Sequence, residues 1–352
     1  MENTTYTAAL VGCGRIGYSL GLDKKREQPA SHTMALTENS RITLVAGCDT
    51  DSERRSAWHA ANKTAAVYSS SSDMYAHHSP DIITVAVNEN AHLAEALAAI
   101  AAKPRLVILE KPVALDTIEA LRIQDAATRA KIPVLVNHER RFADDYRAAR
   151  SYLPQIGNLQ SIHASLHSSL CVYNPQEERS GAYSLIHDGT HLVDIVLFFL
   201  EAKADSETAT STETTKPVLH GHPVLTGLFR DEKELVRQVT AHYSSEQCPD
   251  IAFTMSGRSR FFGFDIDIYG TEGRICIGNG YCKLYHREAS RLYTGFYSLM
   301  RDKTATIPKK TRYFSNMVQN AVDFLDGNAP LGSTLQNGIN ALTVLEEIKR
   351  GF

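Results

Sequence analysis

Short apolar runs alternate with amphipathic segments through the first part of the chain. The apolar runs are rich in Val, Ile and Leu and have no polar face, which is typical of strands in a parallel sheet covered on both sides. The predicted strands are 7–11, 42–46, 82–87, 106–109 and 134–136. Between them, Ala, Leu and Ile recur at helical i, i+3, i+4 spacing. This alternation predicts a doubly wound α/β domain over residues 1–140.

The pattern changes in the second part of the chain, residues 141–352. Residues 160–168 and 262–269 alternate apolar and polar side chains with period two. This alternation indicates strands with one buried face, as in an antiparallel sheet with helices on its other side. Two helical patterns, 315–325 and 334–349, close the chain. We therefore expect a second, α+β domain, whose final helices can pack back on the first domain.

Composition and charge narrow the class of protein. The 352 residues include 37 Lys and Arg against 40 Asp and Glu, a formal charge of −3. This balance attracts neither nucleic acid nor an anionic membrane surface. Hydrophobic residues make up 43% of the chain, which fits a folded globular protein.

We expect neither a secretory signal nor a disulfide or metal-binding cysteine pattern in this chain. The apolar stretch 192–200 is too short for a membrane span and contains Asp194. The N-terminus lacks the basic region of a secretory signal, and the six cysteines are widely spaced. We expect a cytoplasmic protein, with a solvated loop over the Thr- and Ser-rich segment 201–217.

A glycine motif of the form G-x-G-x-x-G follows the first predicted strand directly. Gly12 permits a tight turn, Gly14 lets the backbone approach a pyrophosphate, and Gly17 allows a helix to pack closely on the strand. The N-terminus of that helix supplies amide donors, so Arg15 and Ile16 are included among the candidate cofactor-binding residues. A glycine turn can also simply join a strand to a helix.

The acid that follows the second strand favours dinucleotide binding. Asp49 can accept hydrogen bonds from ribose hydroxyls, but it lies 32 residues after Gly17, whereas roughly 20 is usual. The surplus indicates an insertion around 22–31, placed near the cofactor phosphates or the substrate mouth, or else a surface elaboration. The carboxylate repels a 2′-phosphate and favours NAD, while Arg54 and Arg55 leave NADP open.

A lysine follows the strand 106–109, at the sheet edge where α/β folds bind ligands. Lys111, next to the rigid Pro112, can donate to a substrate hydroxyl and stabilise a developing alkoxide. It can equally be an ordinary solvated loop lysine.

A second cluster places His187, His191 and Asp194 at i, i+4 and i+7, on one face of a predicted helix. Such residues can be hydrogen-bonded core residues, or a zinc site that lacks the Glu of H-E-x-x-H. They can also be an acid–base pair. Because nicotinamide chemistry on alcohols needs one proton acceptor and one alkoxide stabiliser, we predict His191 as general base and His187 as relay or substrate contact. No metal is expected.

Together these motifs resemble the Gfo/Idh/MocA oxidoreductases, named for glucose–fructose oxidoreductase and inositol dehydrogenase. The resemblance covers nearly the whole chain. It rests on GCGRIG at 12–17, CD at 48–49, the segment from Asn88 to His92, EKP at 110–112, NHERRF at 137–142, HDGTHLVD at 187–194, IYGTEGRI at 268–275 and the closing helix STLQNGINALTVLEEI.

The resemblance implies a dinucleotide-binding Rossmann domain at 1–140, followed by an α+β domain at 141–352 for substrate binding and oligomerisation. The large, mostly antiparallel sheet of the second domain often supports dimers or tetramers. The resemblance also implies NAD(P)-dependent oxidation or reduction of sugars, their derivatives or cyclitols. Lys111 and His191 correspond to the family's catalytic lysine and histidine. The other residues assigned through it are Asn88, His92 and Glu110 for the cofactor and Lys111, Asn137 and His187 for the substrate.

One position departs from the family pattern. His187 stands where members commonly have an aspartate, and a second histidine cannot steady an imidazolium while it is itself cationic. Two rival functions stay open for such a chain. One is an NAD-dependent glycosidase of the same superfamily, and the other is a non-enzymatic NAD-binding sensor.

Overall fold

The computed structural model describes residues 4–207 and 219–352, and the chain forms two compact units. Unit 1 comprises Met1–Ala143 with Lys310–Ile339, and unit 2 comprises Asp144–Lys309 with Asn340–Phe352. This division differs from the expected one in the segment 310–339, which is grouped with unit 1 rather than with the second domain.

Strands and helices alternate along the first part of the chain. They are β1 (Tyr6–Val11), α1 (His32–Glu38), β2 (Ile42–Cys48), α2 (Ser52–Ala61), β3 (Ala66–Tyr68), α3 (Ser71–His77), β4 (Ile82–Val85), α4 (His92–Ala101), β5 (Leu106–Leu109), α5 (Thr117–Ala130), β6 (Val134–Val136) and α6 (Glu139–Phe142).

The second part is dominated by strands. Its elements are α7 (Asp144–Tyr152), β7 (Leu159–His167), α8 (Ser184–His187), α9 (Gly189–Glu207), β8 (His220–Arg230), β9 (Val236–Ser244), β10 (Ile251–Ser256), β11 (Gly263–Gly270), β12 (Gly273–Gly278), β13 (Tyr281–Ala289), β14 (Tyr297–Arg301), α10 (Tyr313–Leu325) and α11 (Leu335–Lys349).

The sheet of unit 1 has six parallel strands in the order β3-β2-β1-β4-β5-β6. The strand order reverses between β1 and β4, and in such sheets ligands bind beyond the carboxyl ends of the strands at this switch point. The glycine motif follows β1, Asp49 follows β2 and Lys111 follows β5. The predicted Rossmann architecture is confirmed.

Helix α10 explains why the segment 310–339 belongs to unit 1. Its side chains Phe314, Met317 and Val318 are buried in the same apolar cluster as Phe142 and the strands of the parallel sheet. These residues recur at helical spacing on one face, so removing the segment would expose that face of the core.

The extra residues between the glycine turn and α1 loop out without displacing the helix. A 3₁₀ turn occupies Ser19–Leu22, and α1 begins only at His32. The backbone N–H groups of His32 and Thr33 donate to the carbonyls of Ile16 (3.0 Å) and Gly17 (2.9 Å). The chain therefore resumes its helical path beside the glycine turn.

Unit 2 is built on an eight-stranded sheet in the order β14-β13-β12-β11-β7-β10-β9-β8. Among the described strands of this sheet, only β7 and β10 pair in parallel, and the other neighbours are antiparallel. Helix α9 packs on β7 and β10. The mostly antiparallel sheet is confirmed.

One expectation for unit 2 is wrong. The predicted loop 201–217 begins inside α9, which continues to Glu207, because Glu, Ala and Lys favour helix. The rest of that segment lies outside the described residues. In the part of the chain that the structure covers, no helix is long and apolar enough to cross a membrane.

Candidate active site

At two positions of the turn after β1, only glycine fits, because other backbone atoms lie very close. Gly12 has a φ of +97°, and a Cβ there would lie 2.4 Å from the carbonyl oxygen of Ala86. A Cβ on Gly17 would lie 2.0 Å from the carbonyl oxygen of Gly12. Any side chain at either position would therefore collide with backbone atoms.

The middle glycine faces open space instead. The only described atom within 4 Å of a Cβ built on Gly14 is Nη1 of Arg54, at 3.5 Å. Arg15 is exposed, and Ile16 packs against the core of unit 1. The backbone at Gly14 is thus accessible to a large anionic group, as the binding of a pyrophosphate requires.

The carboxylate of Asp49 lies directly against the glycine turn. One oxygen accepts from the backbone N–H of Cys13 and the other from that of Asp51, both at 2.9 Å. Arg55 donates to the carbonyls of Asp49 and Thr50 at 2.8 and 2.9 Å. Asp49 therefore stands beside the turn with fixed carboxylate oxygens, and each oxygen can still accept a second hydrogen bond.

A hydrogen-bonded chain that the sequence analysis did not single out connects the single tryptophan to the same turn. The indole N–H of Trp58 donates to the hydroxyl of Thr33 (2.9 Å), which donates to the carbonyl of Gly17 (2.7 Å). Trp58 is fully buried, and a Cβ on Gly47 would lie 2.6 Å from its ring.

A buried carboxylate organises the residues that follow β5 and β6. Oε1 of Glu110 lies 2.6 Å from His32 Nε2 and accepts from Asn137 Nδ2 at 2.6 Å. Oε2 accepts from the backbone N–H of Lys111 at 3.3 Å. Burial alone raises the pKa of Glu110, but the hydrogen bond and charge of His32, with Lys111 and Asn137, bring it down to about 2. The carboxylate is therefore ionised.

The structure places His92 as a bridge between loops. Its Nδ1 lies 2.5 Å from the carbonyl oxygen of Pro112 and its Nε2 lies 3.1 Å from that of Val87. The ring is 1% exposed, and burial lowers the pKa of His92. A neutral imidazole has one N–H, so one of these nitrogens donates to a backbone carbonyl and the ring lies buried between two loops, unlike the direct cofactor contact expected from the sequence. Asn88 is exposed beside this loop.

Glu110 also departs from its expected role as a cofactor ligand. It is 4% exposed, and both of its oxygens accept hydrogen bonds from within unit 1. Lys111 is only partly buried. Asn137 is buried, and its Oδ1 has no hydrogen-bond partner among the residues described.

In unit 2, the predicted continuous helix is interrupted. Helix α8 ends at His187 and α9 begins at Gly189, a residue type that weakens helices. His187 is exposed and His191 is partly buried, whereas Asp194 is only 1% exposed. The backbone N–H of His191 donates to the carbonyl of Asp188 at 3.1 Å. The three side chains thus differ in their access to solvent.

Within 4–207 and 219–352, no group of three or more His, Cys, Asp or Glu side chains could hold a metal ion.

The geometry of unit 1 agrees with the comparison to known families. Residues 6–138 match the model of the Gfo/Idh/MocA oxidoreductase family, described by its NAD-binding Rossmann fold. This part of the chain is similar to that family. The expected family, its NAD cofactor and an oxidoreductase activity are thereby confirmed at the level of the family.

Relatives extend the likeness beyond the matched residues. D-apiose dehydrogenase from Paraburkholderia graminis is 24% identical over 295 residues, 82% of this chain and 72% of that protein. A dehydrogenase from Chromobacterium violaceum has a TM-score of 0.78 at 16% identity, covering 99% of this chain and 95% of its own. An oxidoreductase from Agrobacterium radiobacter, crystallised with NAD⁺, L-tartaric acid and magnesium, has a TM-score of 0.72 at 18% identity, covering 97% and 95%. The two structures show that the fold is shared.

Proposed function

We propose that this family member is an NAD-dependent dehydrogenase that moves a hydride between nicotinamide and a hydroxyl or keto carbon of a carbohydrate-like substrate. The substrate class is a sugar, a sugar derivative or a cyclitol. The observation that carries the proposal is Lys111, which directly follows the buried, ionised Glu110 in a unit with an NAD-binding fold.

The residues after β1 and β2 fit the cofactor. The accessible backbone at Gly14 and the turn around it would hold the pyrophosphate, and Asp49 would accept from the ribose hydroxyls. Arg54 beside Gly14 keeps NADP open as an alternative, although the charge of Asp49 favours NAD. When bound, the nicotinamide supplies the hydride acceptor or donor.

The protein's own residues handle charge and proton. In this proposal the Lys111 ammonium donates to the reacting oxygen and stabilises its negative charge. His191 takes the hydroxyl proton as general base, with His187 as relay or substrate contact. Asn137 stays a proposed substrate contact, with its amide held by Glu110 and its Oδ1 buried in the unliganded protein. His92 acts by holding two loops rather than by touching the cofactor.

We further propose a cytoplasmic homo-oligomer, a dimer or a tetramer. Unit 2 exposes large apolar side chains in and beside β14, where Leu292 is 81%, Phe296 67% and Tyr297 60% exposed. Clusters of this kind on a soluble protein favour association. Light scattering after size-exclusion chromatography measures the mass, and a monomer at micromolar concentration would contradict the proposal.

Cofactor titration followed by turnover tests the enzymatic proposal. Because Trp58 is linked through Thr33 to Gly17, NAD(H) is expected to change its fluorescence saturably. A panel of sugars, amino sugars, nucleotide sugars and cyclitols should then include a substrate that generates reduced nicotinamide. Trp58→Phe is the control that should lose the signal. No saturable response to either dinucleotide, by fluorescence or by melting temperature, would end the dehydrogenase proposal.

A further inference from the structure

His32 joins two parts of unit 1 that are far apart in sequence. It is the first residue of α1 and is fully buried. Its backbone N–H donates to the carbonyl of Ile16 in the glycine turn at 3.0 Å. Its side chain meets the carboxylate of Glu110 at 2.6 Å. One residue therefore connects the candidate cofactor turn to the loop that carries the candidate catalytic lysine.

The direction of the side-chain hydrogen bond follows from the charge of its partner. An ionised carboxylate has only acceptors, so Nε2 of His32 carries the hydrogen and donates it to Glu110. The same oxygen accepts from Asn137, and the other oxygen accepts from the backbone of Lys111. Three groups thus converge on a single carboxylate, whose position depends on all of them.

The imidazole has little freedom to move away. The ring of Phe314 stands edge-on to it, with centroids 5.1 Å apart at 85°. Its Nδ1 is buried and has no hydrogen-bond partner in the described part of the chain. Because Nδ1 makes no hydrogen bond there, the contact of Nε2 with Glu110 is the polar interaction that orients the ring.

We propose that His32 is a positioning residue: it holds the Glu110 carboxylate, and through it Asn137 and the Lys111 backbone, in a fixed relation to the glycine turn. Its effect on turnover rests on the proposed function. Its effect on the stability of the unliganded protein does not depend on that function. The structural proposal and the proposed function can therefore fail separately.

Thermal unfolding of the cofactor-free protein as a function of pH tests whether His32 holds the Glu110 carboxylate. In the wild type the pKa of Glu110 falls from 4.5 to about 2 on folding, so its contribution to stability is complete above pH 4.5 and is lost as pH falls through 2. In His32→Leu, burial is no longer offset by this donor and the folded pKa rises. The loss of melting temperature relative to wild type should therefore be smallest near pH 2, be present by pH 4 and grow with pH until the raised pKa of Glu110 in the variant is passed.

The other titratable groups that face Glu110 are Lys111 and His92, and neither residue is substituted in any of the variants. In a Glu110→Gln background the carboxylate that His32 binds is gone, so the loss of melting temperature caused by His32→Leu near pH 7 should be smaller than in the wild-type background. Phe314→Leu is the matched packing control and should lower the melting temperature equally at all pH values. If the melting-temperature difference between His32→Leu and its parent is independent of pH, or is unchanged when Glu110→Gln is also present, the proposal is overturned.

Kinetics test the functional part. With a substrate in hand, His32→Leu should lower kcat about 10- to 100-fold, the range for losing a hydrogen bond to a charged group. The Kd for NAD should change less than about threefold, since hydrogen bonds to charged groups are local. His32→Gln keeps an amide donor and should recover part of kcat and of the neutral-pH stability. Normal kcat in His32→Leu, or no recovery in His32→Gln, would contradict a positioning role.

Discussion

The candidate residues of unit 1 and those of unit 2 are held in opposite ways. Around Glu110, buried hydrogen bonds fix Asn137 and the Lys111 backbone. In unit 2, exposure falls from His187 through His191 to Asp194 along one segment of chain. A stabilising charge is most effective when it is preorganised, whereas a base must return its proton to solvent. The two arrangements suit these two tasks.

The strongest test of the comparison lies in the histidines. His191→Ala should reduce kcat about 10²–10⁴-fold, because general-base catalysis contributes that much. His187→Ala should cost less, since it acts as relay or substrate contact. His187→Asp should retain turnover, because a carboxylate can steady an imidazolium. Steady-state kinetics over pH measure all three variants.

Two results would reverse this assignment. If His187→Ala is the more damaging change, the two histidines exchange roles. If chelators abolish turnover and stoichiometric zinc is found, a metal centre replaces the acid–base pair. Melting temperatures of the three variants control for loss of folding.

The charge of the Lys111 side chain is tested by Lys111→Met. Turnover should fall about 10²–10³-fold, the usual cost of losing a contact to developing negative charge. The Kd for NAD should stay close to normal because the charge acts on the substrate oxygen. Lys63→Met, an exposed lysine of the same unit, is the matched control. Wild-type turnover in Lys111→Met would make Lys111 an ordinary loop lysine.

Cofactor choice tests whether the fixed acid of unit 1 lies at the ribose. Asp49→Ser should shift the ratio of the NADP and NAD affinities about tenfold or more toward NADP, because like-charge repulsion of the 2′-phosphate is removed. Asp49→Asn is the size-matched variant and keeps an oxygen for the Cys13 amide. Trp58 fluorescence gives both Kd values. An unchanged ratio in both variants would place Asp49 away from the ribose.

The smallest effect concerns the packing that supports the glycine turn. Gly47→Ala introduces a methyl group 2.6 Å from the Trp58 ring. Overpacking of this kind should lower the free energy of unfolding by about 1–3 kcal/mol. Denaturant titration measures the loss, and combining the change with Trp58→Phe should recover part of it. Additive losses in the double variant would show that the ring is not the obstacle.

Much of unit 1 follows from local pattern. Four-residue apolar runs such as Leu106–Leu109 predict strands because both faces of the sheet are covered. β3 escapes prediction because Ala66–Tyr68 has three half-buried residues and no apolar run. The glycine turn is predictable because close backbone contacts at Gly12 and Gly17 exclude all other residues.

What sequence cannot supply is the long-range contacts. His32 lies 78 residues from Glu110, and nothing in the local periodicity of α1 marks its side chain as a partner. The interruption at Asp188 likewise depends on packing that helical spacing alone does not encode. A buried histidine soon after a glycine turn is the one signal that would have prompted a search for an acidic partner.

Isotope transfer tests the central claim most directly. A substrate deuterated at the reacting carbinol carbon is incubated with stoichiometric NAD, and the deuterium is located by mass spectrometry. We predict one deuterium in the reduced nicotinamide for each oxidised product, with slower turnover than for the unlabelled substrate. Product that forms with no deuterium in the nicotinamide, or a released aglycone without net cofactor reduction, would contradict the account.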